Sequence, residues 1–119
     1  MSSKLAERIA HVPELYKHEE KSTAVLLKEA GLQDAPAPPS ASEIEDALQQ
    51  EPQLADLWLE RGRDQRFAGG WAIERAEGIY RIRSYSGGKG FVERNRLKAC
   101  AEFIVRYVAF IRDVMRQAR

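Results

Sequence analysis

The sequence predicts an α+β fold, in which N-terminal helices and a long C-terminal helix accompany a two-stranded antiparallel β-hairpin. Apolar residues recur every three or four positions towards both ends of the chain, which indicates amphipathic helices. Between them, apolar and polar residues alternate on both sides of a turn signal, which is typical of strands with one buried face. With 119 residues, 44% of them hydrophobic and 31% charged, the chain has the size and composition of one folded domain.

The N-terminal helical pattern covers residues 3–31. Pro13 breaks or kinks this helix, or restarts it as a first-turn residue. Gly31 is placed to end it, because glycine readily adopts the left-handed conformation found after helix ends. Residues 35–41 combine prolines and alanines, and we expect a stiff linker there.

Two further helices are predicted after the linker. Ser42 and Glu45 have the spacing of a capping box, in which each side chain satisfies a backbone N–H of the first helical turn. Pro52 opens another helical segment, which stops near Gly62.

A division of the chain follows from these signals. We expect an N-terminal helical arm (1–34), the linker (35–41) and a compact helix-hairpin-helix core (42–119), within one domain overall. Nine of the ten aromatic residues lie at or after Trp58, which places the core in the second half. The first helix is then a removable or swappable arm.

The hairpin prediction covers about residues 70–85. A two-residue turn at Glu77-Gly78 places Glu74 opposite Arg81, a favourable pair of charges on one face. The same register gathers apolar residues on the other face, namely Trp71, Ile73, Tyr80 and Ile82. A slip of one residue would destroy both patterns, so the register is well specified.

The C-terminal helix is predicted over about residues 91–117. Its apolar positions have spacings of three and four, and they are Leu97, Ala101, Ile104, Val108, Ile111 and Met115. A two-stranded hairpin cannot cover so broad a face. This helix must therefore also pack against the earlier helices or against a second subunit.

Charge is unevenly distributed, although the net charge is only +1. Residues 1–60 contain 5 basic and 12 acidic residues, a net charge of −7. Residues 61–119 contain 14 basic and 6 acidic residues, a net charge of +8. Either the two halves neutralise each other by packing together, or one of them faces a charged partner.

The basic half contains the candidate binding residues. Guanidinium groups beside an aromatic ring suit a phosphate backbone and stacked bases, but they suit an acidic protein surface equally well. They also suit intramolecular pairing with the acidic helices or simple exposure to solvent. The candidates are Arg81, Arg83, Tyr85, Lys89, Arg94 and Arg96.

A glycine-rich segment, Ser86-Gly87-Gly88-Lys89-Gly90, connects the predicted strand to the predicted helix. Glycines let several backbone N–H groups converge on one anion, and a helix N-terminus adds positive potential. The segment departs from a phosphate-binding P-loop, because Gly90 stands where serine or threonine is required and the preceding strand belongs to a hairpin. A flexible connector is the simpler interpretation.

No catalytic or cofactor-binding pattern is evident. His11, Glu14 and His18 have helical spacing, but Pro13 interrupts them and no fourth metal ligand is apparent, so we expect a solvated face. Cys100 lies in an apolar stripe and is expected to be a small core residue. We therefore expect no catalytic residue, no metal and no cofactor.

Cellular location is predicted from what the chain lacks. No apolar segment approaches the length of a membrane span, and no signal peptide is apparent. A single cysteine fits a reducing compartment. These observations predict a cytoplasmic protein without a membrane partner.

The preferred functional hypothesis is a non-enzymatic module that binds another protein. A hairpin followed by a long helix in a short chain resembles, in architecture, small bacterial immunity and inhibitor proteins. The resemblance implies an inhibitor or adaptor that uses the acidic arm or the Arg/Tyr face of the hairpin. The alternatives are a nucleic-acid-binding protein that uses that face with the glycine-rich segment, and a homodimer formed through residues 97–115.

Overall fold

The computed structural model describes residues 4–18, 22–61, 71–84 and 90–117, and within these ranges it confirms the predicted α+β class. The described helices are α1 (Lys4–Ala10), α2 (Val12–His18), α3 (Thr23–Glu29), α4 (Ala41–Gln50), α5 (Gln53–Arg61) and α6 (Arg96–Gln117). The strands are β1 (Trp71–Ala76), β2 (Ile79–Ser84) and β3 (Phe91–Glu93), which form one antiparallel sheet in the order β1-β2-β3.

The N-terminal pattern forms three short helices rather than one. His11 separates α1 from α2, and Pro13 lies in the first turn of α2, so of the predicted alternatives (break, kink or restart) the structure shows a restart. Gly31 follows α3 with a φ of 101°, and the Leu32 N–H donates to the Leu27 carbonyl oxygen at 3.2 Å. The predicted glycine stop is therefore confirmed.

Helix α4 begins two residues earlier than the capping box at Ser42 implied. The Glu43 N–H donates to Ser40 Oγ at 3.2 Å, and the Ser40 N–H donates to Glu43 Oε1 at 3.0 Å. The sequence offers the same Ser-x-x-Glu spacing at both positions. The helix uses the earlier one, directly after the prolines, and places Ser42 inside its first turn.

The predicted hairpin register is confirmed. Glu74 lies opposite Arg81, and Glu77 and Gly78 form the turn with φ values of 53° and 80°. Positive φ at both central residues is the geometry of a type I′ hairpin turn. The ion pair of Glu74, however, is made diagonally with Arg83 on β2 rather than with Arg81.

The prediction of a two-stranded sheet and of a helix beginning at residue 91 was wrong. Residues 91–93 instead form β3, which pairs with β2 so that Phe91 lies opposite Ile82. Helix α6 begins at Arg96, and Asn95 caps it by accepting from the Lys98 N–H at 3.0 Å. A strand of three residues leaves too little alternation to be recognised in a sequence.

Helix α6 is the central element of the core. The sheet packs against it, as do α4 and α5. Trp58 of α5 is fully buried. Its ring lies edge-on to that of Tyr107 of α6, with 6.1 Å between the ring centroids, and its Nε1–H donates to the Ala10 carbonyl oxygen at 2.9 Å. The apolar face of α6 is thus covered in part by the earlier helices, which was one of the two predicted arrangements.

The N-terminal helix contributes to this same hydrophobic cluster through Ala6, Ile9 and Ala10. Whether residues 1–34 can separate as an arm stays a prediction. Within the described ranges, none of the helices combines the length and the apolar character needed to cross a membrane.

Candidate functional site

The outer face of the sheet presents two of the predicted binding residues. Arg81 and Arg83 are exposed on β2, and Val92 of β3 lies opposite Arg81 with an exposed fraction of 57%. Arg83 is paired with Glu74, whereas Arg81 has no ion-pair partner among the described residues. Tyr85 and Lys89, which were predicted to join this surface, lie outside the described residues.

The structure places Arg96 away from that surface. Its guanidinium pairs with Asp56 of α5 and also donates to the Pro52 carbonyl oxygen at 3.5 Å. Arg96 therefore fastens the start of α6 to α5. Arg94 is exposed in the turn between β3 and α6. Arg96 is thus committed to a contact with α5, and the role of the candidates in binding stays a prediction.

Gly90 has a structural role at the start of β3. A Cβ atom at this position would lie 2.5 Å from the Ile82 carbonyl oxygen, so the backbone of residue 90 approaches β2 more closely than any side chain allows. The other members of the predicted anion loop, Ser86, Gly87, Gly88 and Lys89, lie outside the described residues. An anion site there stays a prediction.

The two charged halves meet at the Arg96–Asp56 ion pair. The other ion pairs among the described residues each join two residues of the same half. On α6, for example, Arg106 Nη1 lies 2.6 Å from Glu102 Oε2. The Arg106 guanidinium also stacks over the Phe91 ring at 4.3 Å from its centroid, which connects α6 to β3. Some of the basic residues therefore serve the packing of their own half.

His11 connects two helical junctions. Its Nε2 atom lies 2.6 Å from Glu51 Oε2, between α4 and α5, and its Nδ1 atom lies 3.8 Å from Glu14 Oε1. The side chain of His18, the third member of the predicted solvated face, lies outside the described part of the structure. Among the described residues, no three His, Cys, Asp or Glu side chains are arranged to hold a metal ion.

Cys100 is buried in α6, and its Sγ atom lies 3.9 Å from the Ala55 carbonyl oxygen. Burial raises the pKa of the thiol to about 12 from its ordinary value of 9.0. The thiolate is the reactive form of cysteine, so this thiol is unreactive at neutral pH in the folded chain.

A groove between α1, α2 and α3, called here the helical groove, was not predicted from the sequence. Its volume is about 650 Å³. Leu26 and Ala30 are buried at its base, and Leu15 lines it with an exposed fraction of 40%. Charged and polar residues also line it, namely Lys4, Glu7, Arg8, His11 and Glu29.

A smaller cleft of about 230 Å³ lies between α5 and the inner face of the sheet. We call it the α5–sheet cleft. Its described lining consists of Asp56, Leu59, Glu60, Ile73, Arg75, Tyr80 and Arg96. The predicted hairpin register already placed Arg75 opposite Tyr80, but the position of α5 beside them depends on tertiary packing that no local pattern reveals.

Comparisons of the chain with models of protein families, with curated proteins and with solved structures found no match. A function is therefore inferred from the surfaces of the molecule: the helical groove, the α5–sheet cleft and the exposed arginines of the outer sheet face.

Proposed function

We propose that this chain is a protein-binding module, and that the helical groove receives an amphipathic helix of a partner protein. The observation that carries the proposal is the apolar surface of the groove, where Leu15 is 40% exposed beside the buried Leu26 and Ala30. A volume of about 650 Å³ suits the few apolar side chains that a helix inserts when it docks into a groove.

Charge favours a basic partner. Residues 1–60, which contain α1 to α4 and all of α5 but its last residue, have a net charge of −7. Glu7 and Glu29 line the groove and are exposed, although Lys4 and Arg8 lie there as well. An acidic surface accelerates association with a basic one and disfavours acidic competitors. An inhibitor or adaptor of a basic cytosolic protein, in the manner of an immunity protein, fits this combination.

The test compares two substitutions of exposed apolar residues. Leu15→Arg places a charge in the helical groove, whereas Val92→Arg places the same charge on the outer sheet face. Tagged wild-type chain and both variants are used to recover partners from a native lysate, with quantification by mass spectrometry. We expect a stoichiometric partner that wild type and Val92→Arg retain and that Leu15→Arg loses.

Two further measurements define the result. Circular dichroism and thermal unfolding must be alike for the two variants, so that loss of binding is not loss of folding. Binding to the purified partner should weaken as salt concentration rises, because exposed charges are screened. Recovery of no stoichiometric partner, or equal retention by both variants, contradicts the proposal.

Nucleic-acid binding is the second candidate. It is favoured by two exposed cations, Arg94 and Arg81, and Arg81 has no ion-pair partner among the described residues. Fluorescence anisotropy with short labelled single- and double-stranded nucleic acids would detect it at about 50 and 200 mM salt, a range over which binding to phosphates weakens steeply. We expect a double variant, Arg81→Glu with Arg83→Glu, to abolish such binding. Unchanged affinity in that variant would exclude this surface.

A further inference from the structure

The α5–sheet cleft brings together residues from three separate parts of the chain: α5, the β1–β2 hairpin and the start of α6. Arg75 and Tyr80 are opposite each other on β1 and β2, next to the hairpin turn, and their side chains lie on the face of the sheet that carries Ile73 and Ile82. Helix α5 supplies Asp56, Leu59 and Glu60 to the facing wall, and Arg96 comes from the start of α6. The cleft and the helical groove share none of their described lining residues.

Three polar groups in this cleft have no partner within the described protein. Tyr80 is 6% exposed, yet its hydroxyl makes no hydrogen bond to a described residue. Tyr80 lines the cleft, and its hydroxyl is not one of the fully enclosed, partnerless polar atoms among the described side chains. Arg75 and Glu60 are exposed and form no ion pair with each other.

The remaining charged residues of the cleft are already committed. Arg96 and Asp56 form an ion pair, which fixes their positions and cancels their charges. Among the described lining residues, this leaves one guanidinium, one carboxylate and one hydroxyl around a small space. Leu59 is half-buried and adds apolar surface to the same lining, which the almost fully buried Ile73 also joins. A few convergent polar groups beside apolar side chains are characteristic of small-molecule sites.

We propose that the α5–sheet cleft binds a small zwitterion with an apolar substituent, of the class of the free aliphatic α-amino acids. Arg75 and the Tyr80 hydroxyl both donate hydrogen bonds and suit the carboxylate of such a ligand. The Glu60 carboxylate suits its ammonium group, and Leu59 and Ile73 suit its aliphatic side chain. A volume of about 230 Å³ lies below the range of drug-sized sites, which restricts the ligand to a small molecule.

The experiment uses the full chain and three related probes: L-leucine, N-acetyl-L-leucine and L-leucinamide. Each probe is titrated to about 10 mM, a range in which millimolar dissociation constants can be measured, and nuclear magnetic resonance follows the binding. We expect L-leucine to shift the signals of Tyr80 and its neighbours. Each derivative lacks one of the two charges, so its affinity should be at least about tenfold lower.

Variants test which wall of the cleft binds each charged group of the ligand. Arg75→Gln and Glu60→Gln should each weaken L-leucine binding about tenfold. Arg81→Gln is the matched control, because it removes the same charge from the opposite face of the sheet, and its affinity should equal that of wild type. Tyr80→Phe keeps the ring that packs in the core and should weaken binding several-fold.

Three results would overturn the proposal. The first is no shift at the cleft with L-leucine in the wild-type chain. The second is N-acetyl-L-leucine binding as tightly as L-leucine, which would define a site for carboxylates alone. The third is equal affinity in Arg75→Gln and Arg81→Gln. None of these results bears on the helical groove, so this proposal and the protein-binding proposal fail separately.

Discussion

The N-terminal helices carry their boundaries in their own sequence, whereas the sheet depends partly on contacts between distant residues. Helix α3 has seven residues. Its N-cap, Ser22, directly precedes its first residue, and Gly31 lies two residues after its last one. Helices of this length are not stable alone, so local signals set where α2 begins and where α3 begins and ends, but they do not stabilise these helices. Their stability comes from contacts such as the Trp58 hydrogen bond to Ala10.

The sheet combines both kinds of information. The turn at Glu77-Gly78 sets the register of β1 and β2 locally. Strand β3 depends on the close approach of Gly90 to Ile82, two residues that a local pattern does not connect. The comparison indicates that nearby residues set where an element begins or ends, whereas contacts between elements depend on residues that are distant in sequence. Four pairs of variants test this difference.

The largest effect is expected at the junction of α1 and α5. Trp58→Phe removes the donor to the Ala10 carbonyl oxygen and reduces the buried volume, so the free energy of unfolding should fall by about 3 kcal/mol in urea denaturation. The control is Trp71→Phe, at a half-buried tryptophan of β1. It should lower the free energy of unfolding by less than about half of the loss in Trp58→Phe. Equal losses in the two variants would contradict a special role for this junction.

Gly90→Ala should have the next largest effect, about 2 kcal/mol, because its Cβ would collide with the Ile82 backbone. Hydrogen exchange of the β3 amides should accelerate more than exchange in β1. Gly31→Ala is the comparison at a local boundary. Among the described residues, no atom outside the chain neighbours of residue 31 lies within 4 Å of the added Cβ, so its φ of 101° is what opposes the change. If Gly90→Ala leaves β3 protection unchanged, the contact with Ile82 does not hold this strand.

The two possible capping boxes allow a sharper test of a boundary. Ser40→Ala removes the cap that the structure uses and should cost about 1 kcal/mol of unfolding free energy. Ser42→Ala changes a position inside α4, where alanine is a better helix former, and should be neutral or stabilising by a few tenths of a kcal/mol. Thermal unfolding of both variants gives the comparison, and the reverse order would place the helix start at Ser42.

The smallest effect is expected at the hairpin turn. Glu77 has a φ of 53°, a conformation that asparagine adopts more readily than glutamate. Glu77→Asn should therefore raise the free energy of unfolding by about 0.5 kcal/mol. Glu77→Ala removes the same charge without that conformational preference and should give no gain, as measured in parallel urea titrations. Equal gains from both variants would point to the charge instead.

Much of the fold could be predicted, because several signals act over a few residues. The alternation around Glu77-Gly78 specifies the hairpin register, and Pro13 and Gly31 specify helix boundaries. The α4 boundary was misplaced because Ser40 and Ser42 offer the same capping pattern. The capping pattern alone does not distinguish between these two positions for the start of the helix.

The candidate sites were less predictable for a physical reason. The helical groove and the α5–sheet cleft are spaces between elements, and they exist only once α2 and α3, or α5 and the sheet, are packed. The sequence identified Arg96 as a cation available for binding, but packing commits it to Asp56. It gave Arg75 no special role, although packing places that residue in the cleft without an ion-pair partner among the described residues.

The chain has one cysteine, and its position makes it an intrinsic reporter of motion. Cys100 is fully buried against the Ala55 backbone, so a thiol reagent reaches it only when α5 and α6 separate. In the separated state the thiol regains an ordinary pKa and reacts readily above neutral pH. The rate of chemical labelling of the native chain therefore measures how often this helix pair opens, without any introduced probe.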